Sequence, residues 1–149
     1  MDTLVGSKYM NNFLLRLFLS LTLTSTPALA DTEYFCFDAK NNKTLLLNAH
    51  YSKKTQLMYF PYMQPIQLKF KHTDAIEMAE DRPFEFHDFF DEITHGKVTG
   101  HYEIVHQGAL FYGITYTHKK TKKITEFTRF YDLDHAQIPV LTAKGIECL

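Results

Sequence analysis

The stretch 97–131, KVTGHYEIVHQGALFYGITYTHKKTKKITEFTRFY, constrains this chain more than any other. Three runs alternate along it, broken by two turn signals. In the first run Val98, Gly100, Tyr102 and Ile104 share one face, with Thr99, His101, Glu103 and Val105 opposite. Gln107-Gly108 makes the first turn. The second run puts Leu110, Tyr112, Ile114 and Tyr116 together. His118–Lys123 (HKKTKK) is a highly charged hairpin loop. Ile124, Glu126, Thr128 and Phe130 then alternate against Thr125, Phe127, Arg129 and Tyr131. Period-two alternation bounded by turn residues predicts a three-stranded antiparallel meander.

Upstream, Glu33–Asp38 (EYFCFD) and Thr44–Tyr51 (TLLLNAHY) read as strands, joined by a turn at Asn41-Asn42, since asparagine tolerates the left-handed conformation. Ser52-Lys53-Lys54 turns the chain again. Thr55–Met63 is a third strand, with Pro61 placing its end at an edge or bulge. Pro65–Lys71 alternates, with Ile66, Leu68 and Phe70 on one face. From Asp74 to Glu92 there are eight acidic residues and one basic residue, Arg82. Asp81-Arg82-Pro83 resembles a helix start, Phe86, Phe89, Phe90 and Ile93 follow at helical spacing, and Gly96 is a stop. This predicts a short amphipathic helix near 83–94, with a strand through Phe84 and Phe86 as the rival. Ile138–Thr142 and Gly145–Cys148 read as the closing strand or pair of strands. The fold expected is mainly β (or α+β). It is a small antiparallel barrel or sandwich of about seven to eight strands with that one helix.

Residues 1–30 are set aside from the fold. Arg16 precedes the apolar run Leu17–Leu23, and Pro27-Ala28-Leu29-Ala30 offers an A-x-A cleavage site, the pattern of a secretory signal peptide. Met10 offers a start from which the leader has an ordinary length. The remainder, 31–149, is expected to be one exported domain, periplasmic if the source is Gram-negative and otherwise secreted. The two cysteines, Cys36 and Cys148, lie near the two ends of that domain. In an oxidising compartment they are expected to pair. The bond needs Cα atoms within about 7 Å, which brings the first and last strands together.

Composition removes several functions. Sixteen basic and 17 acidic side chains give a net charge of −1, without the basic excess of a nucleic-acid binder. The one serine in 31–149, Ser52, sits at a turn and in no nucleophile elbow. No glycine-rich phosphate loop and no cofactor motif occurs, so neither cofactor nor catalysis is expected. Stable membrane insertion after leader cleavage is not expected either.

Three candidate sites remain. Lys119, Lys120, Lys122 and Lys123 of the hairpin, with Asp88, Asp91 and Glu92 of the acidic segment, make the chain dipolar, an arrangement suited to electrostatic docking. His87, Asp91 and His95 follow a four-residue spacing, which on a helix aligns them for a divalent metal such as zinc. With nine tyrosines, 13 phenylalanines and no tryptophan, the aromatic residues must build the core, or line the interior of a small-ligand carrier. A cysteine in the first mature strand, a lysine-rich hairpin and a terminal cysteine are similar to features of small periplasmic lysozyme-inhibitor barrels. The likeness covers these features and no inhibitory motif, so no site residue is carried over. The function expected is an exported non-catalytic binding protein, an inhibitor or immunity-type factor whose partner is another envelope or secreted protein. A small-ligand carrier and a metal-binding envelope protein are the alternatives.

Overall fold

The computed structural model describes residues 32–40, 42–48, 55–130 and 135–149. Residues 1–31, which include the expected leader, lie outside them, as do Asn41 of the expected first turn, residues 49–54, with the expected strand end and second turn, and residues 131–134. The elements in chain order are β1 (Thr32–Asp38), β2 (Thr44–Asn48), β3 (Leu57–Phe60), β4 (Leu68–Ile76), β5 (Glu85–Thr94), β6 (Lys97–Gln107), β7 (Leu110–His118), β8 (Ile124–Arg129), α1 (Ile138–Thr142) and β9 (Ile146–Cys148). The strands form one sheet in the order β3-β2-β1-β8-β7-β6-β5-β4, with β9 added in parallel to β1. The sheet curls into a half-barrel of mostly antiparallel strands.

The meander expected over 97–131 is present and larger than predicted. It begins at β4, so five consecutive strands are joined by hairpins. Register shifts between Phe70 and His72, Glu92 and Ile93, and Val105 and His106 mark bulges. A bulge bends its strand and increases the local twist, which curls a sheet. The last of these also changes the phase of β7. Phe111, rather than Tyr112, joins Ile114 in the core.

The helix predicted near 83–94 is instead the ten-residue strand β5, paired with β4 on one side and β6 on the other. The phenylalanine spacing suits both periods, because aromatic residues occupy both faces of this strand. Phe90 packs in the concave core, while Phe89 stacks on His72 across the pair with β4, ring centroids 4.6 Å apart. Asp81, read as a helix cap, adopts φ 66° in the β4–β5 turn. Gly96, read as a helix stop, forms a hairpin turn with His95, at φ 73° and 49°. Two positive φ angles in a row are those of a type I′ turn, which matches the twist of the strands that it joins.

The helix lies elsewhere. Ile138–Thr142, predicted as a strand, is α1, with proline in its first turn. A missing N–H costs nothing there, whereas in a sheet it removes a ladder bond. Gly145 (φ 71°) then turns the chain into β9.

Why TLLLN is continuously apolar follows from the layers. Phe35, Phe37, Leu45 and Leu47 face the concave core with Phe90, Tyr102, Ile104, Ile114 and Phe127. Tyr34, Cys36 and Leu46 face the other way, into a second cluster under α1 and β9 with Met58, Phe130, Leu141 and Ile146. Both faces of β1 and β2 are therefore buried, and such strands lose their alternation.

Cys36 and Cys148 are bonded, with Cα atoms 5.5 Å apart and a sequence separation of 112. The bond is the one expected from the sequence, and it points to an oxidising, non-cytoplasmic compartment. Among the described residues no helix is long and apolar enough to cross a membrane. A loop near that size implies about 4–5 kcal/mol of stabilisation in the chain-entropy model. Replacing both cysteines with alanine is expected to lower the unfolding free energy by up to about that amount. Urea titration of the oxidised protein and the double variant measures it, and equal midpoints would show that the bond contributes nothing.

Candidate functional site

The β7–β8 hairpin is held tightly by its own backbone. His118 N–H donates to Lys123 O and Lys122 N–H to His118 O, both at 2.9 Å. His118 Nδ1 accepts from Thr121 N–H at 3.1 Å. Lys119 N–H donates to Thr99 O at 2.9 Å, fastening the loop to β6. The loop therefore presents its lysines from a fixed frame. Two clefts flank it. One is lined by Lys97, Val98, Thr99, His118, Lys119 and Lys120. The other runs between the β1–β2 turn and β8, with Asp38, Lys40, Lys123, Ile124 and Glu126 along it. Among the described residues none of Lys97, Lys119, Lys120, Lys122 and Lys123 is in an ion pair. The end of the sheet is thus rich in lysines outside ion pairs, with Asp38 and Glu126 along the second cleft only. Sequence reading found the four loop lysines. It missed Lys97, which only the pairing of β6 with β7 brings alongside.

The acidic partners predicted for them are elsewhere and are used internally. Asp88 is buried, hydrogen-bonded to Thr73 and, at 3.2 Å, to His106 Nε2. Asp91 faces the convex side, 2.7 Å from His101 Nδ1 and 3.7 Å from Lys71 Nζ. Glu92 faces the concave side and accepts from the Tyr116 and Thr99 hydroxyls, both at 2.8 Å. The structure does not gather these three carboxylates into one surface.

Nor does it assemble His87, Asp91 and His95. Four residues of strand cover about 13 Å, against about 6 Å for a helical turn. His95 is moreover in the β5–β6 turn. Among the described residues no group of three or more histidines, cysteines and carboxylates is placed to hold a metal ion.

Two polar clusters appear that the sequence did not announce. On the concave side the Tyr59 and Tyr102 hydroxyls are 3.1 Å apart, and the Tyr102 and Tyr116 rings lie 4.7 Å apart. Burial raises the pKa of all three phenols, and the nearby Glu92 carboxylate adds to the shift. They stay protonated through the neutral range and act as hydrogen-bonding groups rather than as nucleophiles. Gly100 makes room for this cluster. A Cβ there would lie 2.3 Å from the Tyr116 ring. On the convex side His87 Nδ1 is 2.6 Å from Glu103 Oε1, and Nε2 is 2.9 Å from Glu85 Oε1. Only the doubly protonated ring donates to both carboxylates. Burial works against that charge, but the bonds to Glu103 and Glu85 outweigh it and the pKa is raised. The signal for this clamp was period two, with 85 and 87 on one face of β5 and 103 on β6.

Gly100→Ala is expected to destabilise the protein by about 1–3 kcal/mol, the usual cost of overpacking. Chemical denaturation measures it, and an unchanged midpoint would show that Tyr116 moves aside freely. The His87 clamp has a defined pH dependence. Its folded pKa lies above the ordinary value of 6.5, so its contribution is full below about pH 6.5 and is lost as pH rises through the folded pKa. Against His87→Gln, the wild-type advantage is expected to be greater at about pH 5.5 than at about pH 9. A difference independent of pH between thermal melts at the two values would refute it.

Comparison of the chain with protein families, with curated proteins and with solved structures finds no match in any of the three.

Proposed function

We propose that this protein is an exported, non-catalytic binding module of inhibitor or immunity type, and that it docks an acidic surface of another protein on its basic end. The observation that carries this reading is the rim of lysines outside ion pairs around the β7–β8 hairpin. A rigid loop that holds like charges together, with none of these lysines in an ion pair among the described residues, loses stability by self-repulsion unless a ligand of opposite charge offsets it. Such a patch also accelerates encounter with a complementary partner. The disulfide suits the compartment in which a leader like 1–30 would place the domain. Both cysteines are consumed by that bond, and the tyrosines of the concave side are held protonated, so the described groups favour binding over nucleophilic chemistry.

The carrier alternative is less favoured because the concave side is packed with its own side chains, Phe37, Leu45, Tyr102 and Ile104 among them. The metal alternative loses the helical spacing on which it rested.

Wild-type protein immobilised in its oxidised form is expected to retain a protein from native envelope extract at low salt and release it at about 0.5 M salt, where the Debye length is only a few ångströms. The charge reversals Lys119→Glu and Lys120→Glu together are expected to weaken that capture about tenfold or more, while Lys71→Ala on the convex side leaves it intact. Equal capture by the reversed variant sinks the reading, as does retention of nothing at low salt.

A further inference from the structure

The opposite end of the sheet has the complementary character. The β4–β5 connection, 77–84, carries Glu77, Glu80 and Asp81 with a single cation, Arg82. Met78 and Phe84 are about half exposed, at 51% and 47%, and Ile76 beside them is 45% exposed. Among the described residues Glu77, Glu80 and Asp81 form no ion pair. The tip is held in place by the Gln107 amide, which donates to Pro83 O at 3.3 Å. It is therefore an apolar knob with an acidic rim.

The cleft between β6 and the lysine hairpin is its counterpart. Val98 gives it an apolar lining, and Lys97, Lys119 and Lys120 give it a basic rim. The two ends are separated by the length of β5, ten residues or about 33 Å. At that distance, several Debye lengths in physiological salt, a knob cannot reach the cleft of its own molecule. The knob of a second molecule can. The net charge of −1 leaves little overall repulsion between copies.

We propose that the acidic β4–β5 tip of one copy seats in the lysine-rimmed cleft of a second copy, head to tail. Met78 or Phe84 covers the Val98 wall, and Glu77 and Glu80 meet Lys97, Lys119 and Lys120. An interface of this kind uses two different patches on each molecule, so it propagates into a chain unless the rotation closes a ring. The proposal rests on the reading of the basic cleft as a docking surface. It adds that the chain carries its own ligand for that surface, so self-association and partner binding compete for the same lysines.

Sedimentation of the purified oxidised protein tests it. At low salt the weight-average mass of the wild type is expected to rise with concentration above that of one chain, and to fall back to one chain at about 0.5 M salt. Two variants each disable one patch. Lys119→Glu with Lys120→Glu reverses the cleft, and Glu77→Lys with Glu80→Lys reverses the tip. Each variant alone is expected to remain a single chain. An equimolar mixture of the two is expected to regain association, because the intact tip of one variant meets the intact cleft of the other and the basic reversed tip meets the acidic reversed cleft. Circular dichroism confirms folding of each variant, and the glutamine versions of the same positions replace any that fails. A wild type that stays a single chain at every concentration overturns the proposal, and so does a mixture that does not associate. If the wild type is a single chain while the cleft variant still loses an envelope partner, self-docking fails and the proposed function stands. If the cleft variant associates like the wild type, self-docking fails, and if it also captures the envelope protein like the wild type, both readings fail.

Discussion

The bond between Cys36 and Cys148 holds together what the hydrogen-bond ladder alone joins only over short stretches. Strand β1 meets β8 through Phe37 and Asp38 and meets β9 through Thr32, Glu33 and Tyr34. Each contact is two or three residues long, against five to nine in the pairs of the meander. Without a covalent link the seam between the start and end of the domain would open more readily than any other in the sheet. The disulfide lies in that seam, within the small cluster under α1 and β9, where Tyr34, Leu46, Leu141 and Ile146 exclude water. Arg129 adds a second fastening. Its guanidinium lies over the Phe35 ring and donates to the carbonyls of Phe111 and Leu149.

The sheet divides its polar residues by face and by end. The concave side carries neutral hydroxyls around Glu92 together with the Asp88–His106 pair, the convex side carries His87 and His101 held by carboxylates, and the two ends carry opposite charges outside ion pairs. Groups on the faces are satisfied by neighbours on the same strand, on a nearby strand or across the half-barrel, at hydrogen-bond distances. Groups at the ends have no strand beyond them to supply a partner. The capacity for recognition is thus concentrated where the sheet stops.

Much of this was legible. Alternation over 97–131 is unambiguous because each strand there has one apolar face and each turn has glycine or a charged loop. The cysteine pairing was legible because only two cysteines exist. The segment 83–94 misled for a physical reason. Phe86, Phe89, Phe90 and Ile93 satisfy a helical period, and a strand that carries aromatic rings on both faces satisfies it as well. Pairing with β4 and β6 decided the matter, and no local signal reports it. The error carried over into the site, since His87, Asp91 and His95 align only on a helix. The lysine loop was recognised because a turn leaves charges exposed whatever lies around it. The fate of Asp88, Asp91 and Glu92 depends on which strand lies alongside, and period two places Asp91 opposite the other two.

The position of β1 in the sheet sets an order of assembly. β4 to β8 pair with the strand made just before or just after, so this unit can zip up as the chain emerges, at low loop-closure cost. β1 emerges before them and acquires β8 and β9 only when the last residues arrive. Until then the convex face of β1, with Tyr34 and Cys36, lacks its cover from α1 and β9. A chain that ends early, before Leu141 and Ile146, retains every hairpin of the meander yet leaves that face bare. Residues 138–148 thus complete this domain, because α1 and β9 supply the cover that buries the outer face of its first strand.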